Sequence, residues 1–236
     1  LIGSALSNNP WRVVAAALVA GLLAGCQTTT ALKGPVANLD PGPTKSPADC
    51  APNLSHFGDA TDVNGHTRRT GPHDGDDFVG PLGTHILAPA PGRVITSRSF
   101  VGGGEQIVIY HGADQNQNHI VSLFAHLNQR FVKRGEYVER NQLIGEVGRT
   151  GINMPRDGTP HLHWEVSLNP TETVNTHSPG SLMGDSWPKD LTPVNPNLFT
   201  LKDADGRVAR YVAGKNYNDR EGSFSGFTFP LACTAS

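Results

Sequence analysis

The sequence predicts a mainly β protein, an antiparallel sheet folded into a sandwich or open barrel. Three observations point there. Gly 27 and Pro 18 are many for 236 residues, and both residues cut a chain into short elements. Runs of the good helix formers Ala, Leu, Glu and Lys are scarce. Apolar residues instead gather in runs of strand length bounded by turn signals.

In chain order, strands are expected over Thr84 to Ala88, Gly92 to Ser97, Gln106 to Tyr110, Ile120 to Leu127, Leu143 to Val147 and Leu162 to Leu168. Pro89-Ala90-Pro91-Gly92 and Gly102-Gly103-Gly104 break the first three apart, and Lys133-Arg134-Gly135 turns the chain toward Leu143. Residues 50–69 show no clear pattern. Residues 169–191 are polar and hold several Pro and Gly residues, as a long inserted loop would. In the extension 201–236, Arg207 to Val212 is expected to form a strand of a terminal hairpin turning at Asp205-Gly206.

With 37% hydrophobic residues the chain can fill one sizeable core. A net charge of -2 offers no basic face for phosphates, so nucleic acid is not an expected partner. At the amino end, Arg12 precedes an apolar run from Val13 to Ala24, too short to span a bilayer comfortably. Leu23-Ala24-Gly25-Cys26 then resembles the lipobox of bacterial lipoproteins. That implies a signal peptide over 1–25, acylation of Cys26 and a lipid anchor in the cell envelope. Gln27 after the cysteine points to the outer membrane, facing the periplasm. Residues 26–49 have the composition of a flexible tether, and 50–236 form the domain, its core over about 72–200. Cys50 and Cys233 remain as an even pair in an oxidising compartment, and a disulfide between them is expected.

Ten histidines raise the question of which cluster. In His161-Leu162-His163-Trp164-Glu165, strand geometry sends both imidazoles to one face and Leu162, Trp164 and Val166 to the other. Such a pair suits metal binding or proton transfer, and equally two exposed strand histidines. His73 and Asp77 flank Gly75 in His73-Asp74-Gly75-Asp76-Asp77; nitrogen and carboxylate oxygen are normal zinc donors, although the stretch also reads as a solvated acidic turn. His126 ends the apolar run Leu123-Phe124-Ala125.

The succession His73-x-Gly-x-Asp77, Gly83-Thr84-His85-Ile86-Leu87-Ala88-Pro89, Ala125-His126-Leu127, Ile144-Gly145-Glu146-Val147-Gly148-Arg149-Thr150-Gly151 and His161-x-His163-Trp164-Glu165 resembles the LytM and lysostaphin-type zinc endopeptidases. It covers about Pro72 to Val166, with an echo at Pro193-Val194-Asn195-Pro196. The resemblance implies that fold with an active-site groove and one zinc ion held by His73, Asp77 and His163. It implies His126 and His161 as the catalytic pair beside the metal, with His161 the general base and His126 orienting the network or stabilising the oxyanion, or the two exchanged. It also implies hydrolysis of peptide cross-links in bacterial peptidoglycan. The alternative is a non-catalytic envelope factor of the same type that binds the wall or activates other hydrolases, and a regulatory envelope protein is a conceivable partner. Ile152 to Pro160 is longer and more charged than the family's usual loop and is expected to border the cleft. Asn141 stands where the family often has Gly, a benign exchange because Asn tolerates a left-handed turn. His56, His66, His85, His111, His119 and His177 have no place in the constellation and are expected at the surface or in loops.

Overall fold

The computed structural model describes residues 41–66, 69–168 and 191–233. The expected signal peptide over 1–25, Cys26, the expected tether up to residue 40, His177 and the expected 169–191 loop up to residue 190 lie outside the described residues. The strands are β1 (Asn53–Ser55), β2 (Asp76–Val79), β3 (His85–Leu87), β4 (Gly92–Phe100), β5 (Gly104–Ala113), β6 (His119–Arg130), β7 (Tyr137–Val138), β8 (Leu143–Val147), β9 (His161–Leu168) and β10 (Thr192–Val194). They pair antiparallel throughout, in the order β1-β2-β9-β6-β5-β4-β7. β10 joins β9, β8 joins β6, and β3 joins β8.

Every expected sheet strand is present. β4 and β5 outrun their apolar stretches because the ladder continues through polar pairs such as Arg98↔Gln106 and Ser99↔Glu105. β1, β2, β7 and β10 had no apolar alternation to announce them. β2 begins with two aspartates, and it is a strand because β1 and β9 flank it on both sides. Asn141 has φ 66°, the left-handed turn its side chain tolerates.

The two faces of the sheet are filled differently. On one, Phe78, Ile107, Phe124, Leu162, Trp164 and Val166 meet Ile86 of β3, Ile144 of β8 and Phe227, Phe229 and Leu231 of the tail in the main core. On the other, Val108, Tyr110, Val121, Leu123 and Ala125 form a smaller cluster. The β3–β8 ribbon thus lies over the sheet as the second layer of an open sandwich.

β6 carries the chain from one layer to the other. Ile120 to Ala125 pair with β9, whereas Leu127 to Arg130 pair with β8. Between them Ala125 and His126 face the single residue Gln106 of β5, since Phe124 pairs with Ile107 and Leu127 with Glu105. This is a β-bulge, and it reverses the parity of the strand: Ile120 and Phe124, then Leu127, occupy the main core. His126 sits in the bulge at φ 63°, uncommon for a residue with a side chain.

Three expectations are corrected. The tether does not extend to residue 49: Thr44, Ser46 and Pro47 are buried, and Asn197 Nδ2 donates to the carbonyls of Pro41, Gly42 and Pro43. Buried partners override a composition that otherwise favours an open chain. Arg207 to Val212 is not a strand; only Lys202 and Val208 bridge across the Asp205-Gly206 turn, because the carbonyl of Lys45, outside the hairpin, accepts from Val208 N. His111 is not at the surface but 2% exposed. Its Nδ1 donates to the Pro91 carbonyl at 2.8 Å, its Nε2 accepts from Ser122 Oγ at 2.6 Å, and its ring packs edge-on to Phe227. Satisfying both ring nitrogens makes that burial tolerable.

The expected disulfide is present, joining Cys50 and Cys233 with Cα atoms 4.5 Å apart and a sequence separation of 183.

Candidate active site

Strand alternation brings the first residues together. On β9, Leu162 and Trp164 point into the core while His163 faces the groove, and its register partner on β2 is Asp77. Alternation on β2 sends the preceding Asp76 the other way, where it accepts from Phe57 N at 3.2 Å. His73 enters on an irregular segment held by pairing with residues 58–59: its N–H donates to Asp59 O and its carbonyl accepts from Gly58 N. Gly75 must be glycine, because a Cβ there would lie 2.5 Å from the Trp164 carbonyl oxygen.

Three donor atoms converge. His163 Nδ1 lies 3.0 Å from Asp77 Oδ1 and 3.0 Å from His73 Nε2, and His73 Nε2 lies 3.2 Å from Asp77 Oδ1. These are the separations expected of three corners around one small cation with ligands about 2 Å away. The donor set fits zinc in kind as well, two imidazoles and one carboxylate. His73 is already in the tautomer a ligand needs: Nδ1–H donates to the His56 carbonyl at 3.1 Å, which leaves the Nε2 lone pair toward the cluster. On its far side His163 Nε2 stands 4.0 Å from Glu165 Oε2.

His126 and His161 stand beside this cluster, their ring centroids 4.8 Å apart. Each is tied through Nδ1 to a backbone carbonyl, His126 to Thr150 at 2.8 Å and His161 to Thr159 at 3.1 Å. A carbonyl only accepts, so Nδ1 carries the proton on both rings and each Nε2 keeps a free lone pair. His161 Nε2 is 3.8 Å from Asp77 Oδ1, within reach of anything held by the three donors.

The electrostatics follow from burial and from the single carboxylate. Burial pushes His126 down to about 3, assisted by repulsion from His161 and His163. Burial also lowers His161, against the attraction of Asp77. Burial alone would raise Asp77, but its close contacts with the His163 and His73 imidazoles outweigh it and hold the carboxylate well below its usual range. For His163 burial opposes the charge, yet contacts with Asp77 and Glu165 prevail and push it up to about 9.

The cluster lies in a groove of about 640 Å³. Its floor is Gln106, Leu123, Ala125 and Glu165, and Ile152 to Pro155 form part of its wall, so the long loop does border the cleft. All five residues named from sequence are therefore in one place. Sequence reasoning missed Arg69, whose Nη2 meets Asp77 Oδ2 at 2.7 Å, and Ser55 behind His73. It also missed Gln106, 6% exposed with Oε1 unpartnered. None of these three carried a local signal, whereas Glu165, which also lines the groove, stands in the sequence motif on the strand face of His163. His56, half-buried, supplies a carbonyl to His73 rather than its ring.

Residues 71–176 match the family model described as peptidase family M23. The chain contains an M23 peptidase domain. Among curated relatives it is 34% identical over 143 residues to the peptidoglycan DD-endopeptidase ShyA of Vibrio cholerae, covering 61% of this chain and 31% of that protein. It is 33% identical over 110 residues to lysostaphin of Staphylococcus simulans, covering 46% of this chain and 21% of that protein. The chain spans less than a third of the length of the curated relatives it matches. The crystallised catalytic domain of lysostaphin from Staphylococcus simulans overlaps it with a TM-score of 0.44 at 24% identity, covering 62% of this chain and 89% of that one. The fold of the M23 domain rests on the strand pairing above rather than on that partial overlap.

Proposed function

We propose that the protein is a zinc-dependent endopeptidase that hydrolyses peptide cross-links of bacterial peptidoglycan. The observation that carries this reading is the His73, Asp77 and His163 triangle with two free imidazole lone pairs beside it. The names of the relatives, a DD-endopeptidase and lysostaphin, support the substrate class. A bound zinc ion would lower the pKa of a water at its open corner and polarise the scissile carbonyl.

The residues of the chain divide the remaining work. His73, Asp77 and His163 would hold the ion, with both imidazoles neutral and the aspartate ionised. His161 Nε2, 3.8 Å from Asp77 Oδ1, receives the proton of the attacking water as general base and returns it to the leaving amine. His126 carries its proton on Nδ1, so its Nε2 accepts a hydrogen bond and orients that water; this favours orientation over oxyanion donation. A non-catalytic wall-binding role would leave the clustered donors without a purpose, at a real desolvation cost. On the same reading the domain works in the cell envelope, anchored through an acylated Cys26.

Digestion of purified sacculi with separation of the muropeptides is the deciding measurement. Zinc-loaded protein is expected to deplete cross-linked dimers, a chelator to stop it, His163→Ala to lose both ion and activity, and His161→Ala to keep the ion and lose turnover. Dimers left unchanged by zinc-loaded protein overturn the proposal, and a fully active His161→Ala overturns the assignment of the base. Labelling with a palmitate analogue tests the anchor, and an unlabelled Cys26 removes it.

A further inference from the structure

The two oxygens of Asp77 have different partners. Oδ1 faces His163 and His73 at 3.0 and 3.2 Å, whereas Oδ2 accepts from Arg69 Nη2 at 2.7 Å. We propose that Arg69 is a positioning residue that keeps Asp77 a one-oxygen ligand. The inference rests on the reading that His73, Asp77 and His163 hold a divalent cation.

A carboxylate can bind a cation through one oxygen or through both. The second oxygen would take the corner that a hydrolytic centre needs for water. The guanidinium is charged at any working pH, and a charge-assisted hydrogen bond of this length is a strong one, so it commits Oδ2 elsewhere. It also offsets part of the aspartate's charge, which leaves a held cation more electrophilic.

Arg69 is itself held in place. Nε donates to the Thr61 carbonyl at 3.2 Å, and Nη2 also donates to Ser55 Oγ at 3.2 Å. Ser55 Oγ donates to the same Thr61 carbonyl at 2.8 Å, and Ser55 is the register partner of Asp77. The fork is therefore fixed from two sides by residues of the segment whose sequence shows no pattern. Asp77 is nearly enclosed, its side chain 3% exposed, so water cannot readily replace the guanidinium. Lysine, a point charge without the fork, would restore the charge but not the geometry.

Arg69→Met and Arg69→Lys, made in the full chain, test this with cobalt(II) as an optical probe and with zinc titrated against a chelator. Thermal melting of the metal-free variants checks that they fold. Wild type is expected to show the intense visible band of four-coordinate cobalt, and Arg69→Met a weaker band of higher coordination. Zinc affinity is expected to fall about 10- to 100-fold in Arg69→Met, the usual effect of losing an outer partner of a metal ligand, and less in Arg69→Lys. An Arg69→Met protein with the wild-type band and wild-type zinc affinity overturns the inference. If Arg69→Met does not fold, Arg69→Lys decides by the same two readings. If wild type itself takes up neither ion, the metal reading fails and this inference with it.

Discussion

At the residue scale, a proton and a metal ion compete for His163. With its pKa pushed up to about 9, burial being outweighed by Asp77 and Glu165, the metal-free protein carries an imidazolium there at neutral pH. A cation must displace that proton, since only neutral imidazole is a ligand. Uptake at pH 7 is expected to release about one proton per ion, and affinity to weaken further as the pH falls. Calorimetry in two buffers of different ionisation enthalpy measures this, and heats that do not depend on the buffer contradict it. His163 was legible in the sequence because strand alternation is local: neighbours two apart share a face. Arg69 was not, since its partner Asp77 is fixed by β1 and β9, strands that no local pattern near Arg69 reveals.

At the element scale, the bulge in β6 sets where His126 stands, and Gly148 at the end of β8 is wedged against it. A Cβ on Gly148 would lie 2.2 Å from Asn128 N and 2.5 Å from the His126 carbonyl oxygen, both backbone atoms that cannot rotate away. Gly148 also bridges to His161, accepting from its N–H at 3.3 Å. Gly148→Ala is therefore expected to cost about 1–3 kcal/mol, as overpacking does, and to reduce turnover more than zinc content. Thermal unfolding with a zinc assay checks this; wild-type stability in the variant would show that β6 yields freely. The expected strand over Ile120 to Leu127 was legible from its apolar run. The bulge was not, because an inserted residue changes the pairing with β5 without changing the local composition.

At the scale of the whole molecule, the amino-terminal segment and the tail are fastened to the sheet. Arg140, its side chain 2% exposed, donates to both oxygens of Asp219 at 2.8 and 2.6 Å and lies over the Tyr217 ring. Arg210 pairs with Asp49, and the Cys50–Cys233 disulfide closes nearly the whole domain. Its 183-residue span corresponds to about 5 kcal/mol in the chain-entropy model. Reduction is expected to lower the urea midpoint accordingly, and an unchanged midpoint under reductant contradicts it. His111 makes stability depend on acid. Burial lowers it to about 4 from an ordinary 6.5, so between those values the unfolded chain binds the extra proton. The contribution is complete above pH 6.5 and is lost as the pH falls toward 4, about 3 kcal/mol in all. His111→Gln should flatten that part of the stability curve; an equal slope in the variant rules His111 out as its source.

What sequence alone determined is whatever local chemistry dictates. Apolar runs between Gly and Pro placed the main strands, the two-residue period put His161 and His163 on one wall, and the even cysteine pair Cys50 and Cys233 made a bridge. Only the tertiary structure decided which oxygen of Asp77 faces the donors, how β6 re-aims His126, and that His111 is enclosed. Each of those depends on groups brought together from distant parts of the chain, whose meeting is set by the packing of the whole and leaves no periodicity in the residues around any one of them.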